Sequence, residues 1–143
     1  MKLHLVTIGK PKLSYAVAGW TDYFTRLQRL HNVRVTHLAD KYADDTAKFR
    51  EITSGTYVVA LEITGTDLGS RELADFLRTR ELEAREVSFV IGGPDGLPPM
   101  VRESADFRWS LSRLTLPHDL AMVVTLEALY RASTINAGLP YHR

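Results

Sequence analysis

Apolar and polar positions change period along this chain, and the changes mark its elements. Lys2–Ile8 is rich in β-formers and predicts a first strand, closed by Gly9-Lys10-Pro11. Val17, Trp20, Phe24 and Leu27 then recur at helical spacing, which predicts a helix over about Ser14–Leu30. Val33–Leu38 alternates as a second strand, and Asp44–Thr53 carries a weaker helical pattern. Tyr57–Ile63 is continuously apolar and suits the centre of a parallel sheet. Thr64–Ser70 reads as a loop, with Ser70 placed to cap a helix whose inner face is Leu73, Phe76 and Leu77. Val87–Ile91 predicts a fourth strand, Pro98–Ser104 a short helix and Phe107–Leu111 a fifth strand. Asp119–Asn136 predicts a long helix, stopped by Gly138.

Strands alternating with helices imply an α/β domain with a mostly parallel sheet. No repeat, linker or low-complexity tract divides the chain, so 1–143 reads as one domain. In the last helix, Leu120, Val123, Val124, Leu126, Leu129, Tyr130 and Ile135 spread over more than one face. Such a helix is covered on both sides. Either loops cover its second face or a second copy of the chain does, which gives a homodimer.

Composition changes this picture little. The hydrophobic fraction of 45% is that of ordinary globular domains. There is no cysteine, which excludes disulfides and thiol nucleophiles and fits the cytoplasm. No signal-peptide layout or membrane-spanning apolar run is present. The net charge is only +1, but its distribution is uneven. Residues 1–41 hold seven Lys/Arg and two acidic groups, residues 42–107 seven and thirteen, and residues 108–143 four and two. An acidic middle between basic ends is either solvated surface charge or a local surface for an anionic partner.

The candidate chemistry lies in the last third. Gly92-Gly93-Pro94-Asp95-Gly96 follows the fourth strand and forms a stiff turn with exposed backbone groups. It lacks the spacing of a dinucleotide fingerprint and the Lys-Ser/Thr of a P-loop, so alone it fits an ordinary turn as well as a ligand loop. In Ser110–His118, the spacing of Leu111, Leu114 and Leu116 breaks strand alternation, so the chain bends there. A bent apolar loop can wrap a flat ring while its backbone reads the ring's edge. His118 is either a substrate contact or a helix cap. The ending Tyr141-His142-Arg143 is either a frayed tail or a functional tip able to relay a proton and hold a phosphate.

Several segments together resemble the RlmH family of SPOUT-class RNA methyltransferases. They are Ile91–Leu97, Trp109–Ser112, Leu114–His118, Glu127, Leu129–Ala132, Ile135 and Pro140–Arg143. The opening strand and the helix with Phe24 also fit, so the likeness spans the chain. The departures are Asp95 where glutamate is common, a small Ser133 where a larger apolar residue is usual, and a short connection after the second strand.

The resemblance implies a SPOUT-type fold, with helices on both faces of the sheet and a C-terminal trefoil knot. It implies S-adenosylmethionine held by Leu61, Gly92 and the run Leu111, Ser112, Arg113, Leu114, Thr115 and Leu116. It also implies a homodimer that methylates N3 of a pseudouridine in 23S rRNA on the assembled ribosome. On that reading His142 is the first candidate base and His118 the second; Arg131 and Arg143 hold phosphate or a developing anion, and Tyr141 stacks on the base. Lys10, Lys12, Arg26 and Arg29 are candidate RNA-backbone contacts. The alternatives are a SPOUT enzyme for another RNA, such as tRNA, and a ribosome-binding protein without catalysis.

Overall fold

A computed structural model describes residues 1–143, in which strands and helices alternate in chain order. They are β1 (Lys2–Ile8), α1 (Ser14–Gln28), β2 (Asn32–Leu38), α2 (Thr46–Ile52), β3 (Tyr57–Asp67), α3 (Ser70–Leu82), β4 (Val87–Ile91), α4 (Pro99–Ser104), β5 (Phe107–Ser110) and α5 (His118–Ala137). A short 3-10 turn, Asp40–Tyr42, precedes α2. The strands form one sheet in the order β2-β1-β4-β3-β5, and every pairing is parallel.

The two-residue period of each strand sorts side chains onto two faces. Leu3, Leu5, Val87 and Phe89 pack with Trp20 and Leu27 of α1, Leu73 and Leu77 of α3, and Met122, Leu126 and Leu129 of α5. Val6, Ile8, Ala60 and Val90 pack on the other side with Phe49 of α2 and Val101 of α4. Burial on both faces explains why β1 and β4 read as near-continuous apolar runs. Each fully buried leucine or phenylalanine stabilises the fold by roughly 2–3 kcal/mol.

Among the buried polar side chains of this core, one is an imidazole on β1. His4, inaccessible to solvent, places Nε2 2.8 Å from Thr36 Oγ1 on β2. Burial first, and the nearby Arg34 second, lower its pKa from 6.5 to about 4. Between those values the unfolded chain binds more protons than the folded one. The stability contributed by neutral His4 is therefore complete above pH 6.5 and is lost as pH falls towards 4. Urea unfolding at pH 7 and pH 5 is expected to show His4 alone accounting for about 2 kcal/mol of lost stability. His4→Gln should reduce the difference by that amount, and an unchanged difference would refute the assignment.

The structure corrects several details. β3 does not end at Ile63 but continues to Asp67. Leu61 and Thr66 both face Trp109 of β5, so residues 62–65 bulge out between them before pairing resumes. The polar, glycine-bearing run after Ile63 hid this second stretch of strand. Gly65 is required there, because a Cβ would lie 2.8 Å from the Arg108 carbonyl. Ser70 is the first helical residue of α3; the cap is Gly69, whose N–H donates to Glu72 at 2.9 Å. β5 ends at Ser110 and leaves Leu111 in the following loop. On α1, Trp20 and Leu27 are buried but Val17 is exposed. α5 packs against both α1 and α3, so its own chain covers part of the second apolar face. Large apolar side chains remain exposed at Leu13, Tyr15 and Val17 instead.

Candidate functional site

Because all strands are parallel, their C-terminal ends open on one edge, where α/β sheets bind ligands. A cleft lies there, built from three chain segments. The bulge of β3 supplies Leu61, Glu62 and Ile63. The turn after β4 supplies Gly92, Gly93, Pro94 and Gly96. The loop after β5 supplies Leu111, Ser112, Leu114, Thr115 and Leu116, and α5 adds His118 and Ala121.

The glycine turn folds back on itself: Gly93 and Gly96 form an antiparallel bridge, with Gly96 N–H donating to Gly93 O at 2.9 Å. A Cβ on Gly92 would lie 2.4 Å from the Gly96 carbonyl carbon and 2.6 Å from Leu97 N, so only glycine closes the turn. The next loop is bent by Ser112. Its Oγ accepts the Leu114 N–H at 2.9 Å, while its carbonyl accepts the Ser110 hydroxyl at 3.0 Å. Leu111, Arg113, Thr115 and Leu116 form no backbone–backbone hydrogen bond, which leaves their N–H and C=O groups available. Apolar walls with free backbone donors and acceptors suit a flat heterocycle read at its edge.

The start of α5 anchors this region. His118 Nε2 donates to the Ile8 carbonyl at 2.7 Å. Asp119, almost fully buried, accepts the N–H groups of Leu13 at 2.7 Å and Lys12 at 2.9 Å. Those bonds hold its carboxyl below the usual carboxylate range. They also pin the loop bearing Lys10 and Lys12 to the first turn of α5.

A second polar assembly lies further along α5. Gly138, in the left-handed conformation at φ 69°, turns the chain, and Leu139 N–H donates to Thr134 O at 2.9 Å. The tail then folds back. Tyr141 meets Tyr130 edge-on at 4.8 Å, and its hydroxyl donates to Glu127 at 3.1 Å. Glu127 Oε1 also accepts two bonds from Arg131, at 2.6 and 2.9 Å. Arg131 lies over the Tyr141 ring and places Nη1 3.4 Å from His142 Nδ1. Tyr23 of α1 completes the group at 3.2 Å from the Tyr141 hydroxyl. Burial, Tyr23 and the Glu127 charge push the Tyr141 phenol upward, so it stays neutral and donates.

A family model described as a predicted SPOUT methyltransferase matches residues 1–142. The chain belongs to the SPOUT methyltransferase family. Proteins named ribosomal RNA large subunit methyltransferase H are similar over its full length. Those of Deinococcus deserti and Deinococcus radiodurans are 46% and 44% identical, covering 100% of this chain and 100% and 99% of theirs. That of Acinetobacter baumannii is 37% identical, over 100% of this chain and 99% of its own. Solved structures share the fold at lower identity. A probable methylase family protein from Haemophilus influenzae superposes with TM-score 0.63 at 13% identity, covering 95% of this chain and 68% of its own. The tRNA (m1G37) methyltransferase of Aquifex aeolicus gives 0.59 at 15%, covering 98% and 70%.

In this SPOUT methyltransferase, seven of the eight residues expected at a cofactor line the cleft: Leu61, Gly92, Leu111, Ser112, Leu114, Thr115 and Leu116. Arg113 is exposed and is not part of the lining. Glu62, Ile63 and Ala121 line it unforeseen, because a bulge and a helix turn carry no motif. His118 does not cap α5; Pro117 occupies the cap position, and the imidazole is tied to Ile8. Tyr141, His142 and Arg131 come together, so the tail is docked, whereas Arg143 at the tip is exposed. Arg26 joins this aromatic group: it bonds Asp22 at 3.1 Å and lies over the rings of Tyr23 and Tyr130. Ser133 bonds His31 at 2.7 Å, which is where the small residue is used.

The two assemblies are apart within one chain. Glu127 and Arg131 lie 9 and 13 residues beyond His118 on one continuous helix. At 1.5 Å per residue that is about 14 and 20 Å.

Proposed function

We propose that this protein uses S-adenosylmethionine to methylate N3 of a pseudouridine in 23S rRNA, acting on assembled ribosomes in the cytoplasm as a homodimer. The observation that carries the reading is the cleft itself. Three loops converge with apolar walls and unpaired backbone groups, in a chain full-length similar to large-subunit rRNA methyltransferases. Leu61, Gly92, Leu111, Ser112, Leu114, Thr115 and Leu116 would hold the cofactor, which supplies an activated sulfonium methyl.

The separation of cleft and tail supports a shared site: the tail of one protomer serves the cleft of its partner. There Tyr141 stacks on the target base, and Arg131 and Arg143 face the RNA phosphate or the pyrimidine oxygens. Glu127 holds Arg131 and Tyr141 in place through three hydrogen bonds to one oxygen. As placed, His142 Nδ1 faces the Arg131 donor, so the neutral ring carries its proton on Nε2. It therefore accepts the N3 proton at Nδ1, once Arg131 gives up its long contact for the RNA. The cofactor would supply the methyl group to N3 in exchange for the N3 proton, which His142 takes up.

Purified protein with tritiated cofactor is expected to label a pseudouridine of 23S rRNA in ribosomes from a strain lacking the gene. Label on tRNA, or cofactor bound with no transfer to any ribosome preparation, would overturn the substrate.

A further inference from the structure

The bulge of β3 needs something to hold it. Residues 62–65 have no partners in the β5 ladder, yet Leu61, Glu62 and Ile63 form one wall of the cleft. Glu62 is where the ties converge. Its side chain is only 8% exposed, although it lies at the cleft. Oε1 accepts the hydroxyl of Thr64, from within the bulge, at 2.8 Å. The same oxygen accepts Arg102 Nη1, from α4, at 3.1 Å. Arg108, from β5, places Nη1 3.8 Å from Oε2. One carboxylate thus joins the bulge to the helix and to the edge strand beside it. Two buried atoms of the group, Glu62 Oε2 and Arg102 Nε, have no hydrogen-bond partner. A buried carboxylate retained with incomplete partners points to a role beyond stability.

We propose that Glu62 is a positioning residue for cofactor binding: through Arg102, Arg108 and Thr64 it fixes the 62–65 bulge, and so the Leu61 wall of the cleft. This rests on the reading of that cleft as the S-adenosylmethionine site. Glu62 does not touch the reacting atoms. It acts by keeping the wall closed before the cofactor arrives, so its loss shows in affinity rather than in the chemical step.

Glu62→Gln keeps the shape but removes the charge that holds both guanidinium groups. The expected result is a KM for S-adenosylmethionine raised about tenfold, with kcat and the KM for ribosomes unchanged. Arg102→Gln should raise the same KM, and the double variant should add little to either change. A merely structural carboxylate would instead lower the amount of folded protein and leave the KM of the folded fraction untouched. Hydrogen exchange without cofactor reads the brace separately: amides 61–66 should exchange faster in Glu62→Gln than in wild type, while β1 and β4 stay protected. Unchanged exchange across 61–66, or unchanged KM with lowered kcat, would overturn the proposal. Wild-type protein that binds no S-adenosylmethionine would overturn the reading of the cleft. The exchange result would still decide whether Glu62 braces the wall.

Discussion

Gly92→Ala is expected to abolish cofactor binding, with an affinity loss of roughly 100-fold or more. The reason is steric and specific to this glycine. Its added Cβ would meet the Gly96 carbonyl carbon at 2.4 Å, Leu97 N at 2.6 Å and the Gly96 oxygen at 2.7 Å. All three are backbone atoms, which cannot swing aside as a side chain can. Relief requires the turn to open, and the turn is a wall of the cleft. The adjacent Gly93 provides the control. A Cβ there meets only the Ile8 side chain at 3.5 Å, an ordinary contact, so Gly93→Ala should leave the turn closed and the urea midpoint as in wild type. Gly96 separates strain from crowding. It has open space around it but φ 82°, so Gly96→Ala should cost stability of about 1–2 kcal/mol without blocking closure. Titration calorimetry with S-adenosylmethionine, beside urea unfolding of each variant, reads both effects. Gly92→Ala binding within threefold of wild type would mean that the turn opens without cost and that the cleft is not shaped by it.

That contrast also marks what was legible in the sequence. The strands covered on both faces along their length, β1 and β4, were plain because such burial leaves an unbroken apolar run. The glycine turn was visible as punctuation, but nothing in its five letters separates Gly92, which must be glycine, from Gly93, which need not. The full-length likeness to a family, rather than the pentapeptide, marked the turn as a cofactor loop. The end of β3 was lost because Thr64-Gly65-Thr66-Asp67 has the composition of a loop, while its strand pairing with β5 is a tertiary fact. Glu62 was missed for the same reason. Its partners Arg102 and Arg108 are distant in sequence, and only the bulge brings all three together.

The docking of the tail was only half legible. Tyr141-His142-Arg143 reads equally as a frayed end or a functional tip, and it is the turn at Gly138 that returns it to α5. Its placement then sets a problem that one chain does not solve. The tail's partners are Glu127, Tyr130 and Arg131 of its own α5, whereas the cleft lies at the other end of that helix. Either the tail acts on a neighbouring protomer's cleft, or it is a structural clasp.

Mixed dimers distinguish these. Gly92→Ala removes the cleft and Arg131→Ala removes the centre of the tail assembly, so each variant alone is expected to lose methylation by several orders of magnitude. In a site shared between protomers, a mixed dimer places both lesions in one site and leaves the other intact. Random mixing at equal amounts makes about half the dimers mixed, each with one working site of two, so activity should return to about a quarter of wild type. Subunits must be exchanged by co-expression or reversible dissociation, and mixed dimers isolated through two different tags should show half the wild-type rate. A site built within one chain gives the opposite result, because every protomer then carries a lesion and no mixture recovers. Recovery also depends on the Arg131 charge reaching across the interface. Arg131→Lys keeps the charge but loses the forked grip on Glu127, and should therefore fall between wild type and alanine.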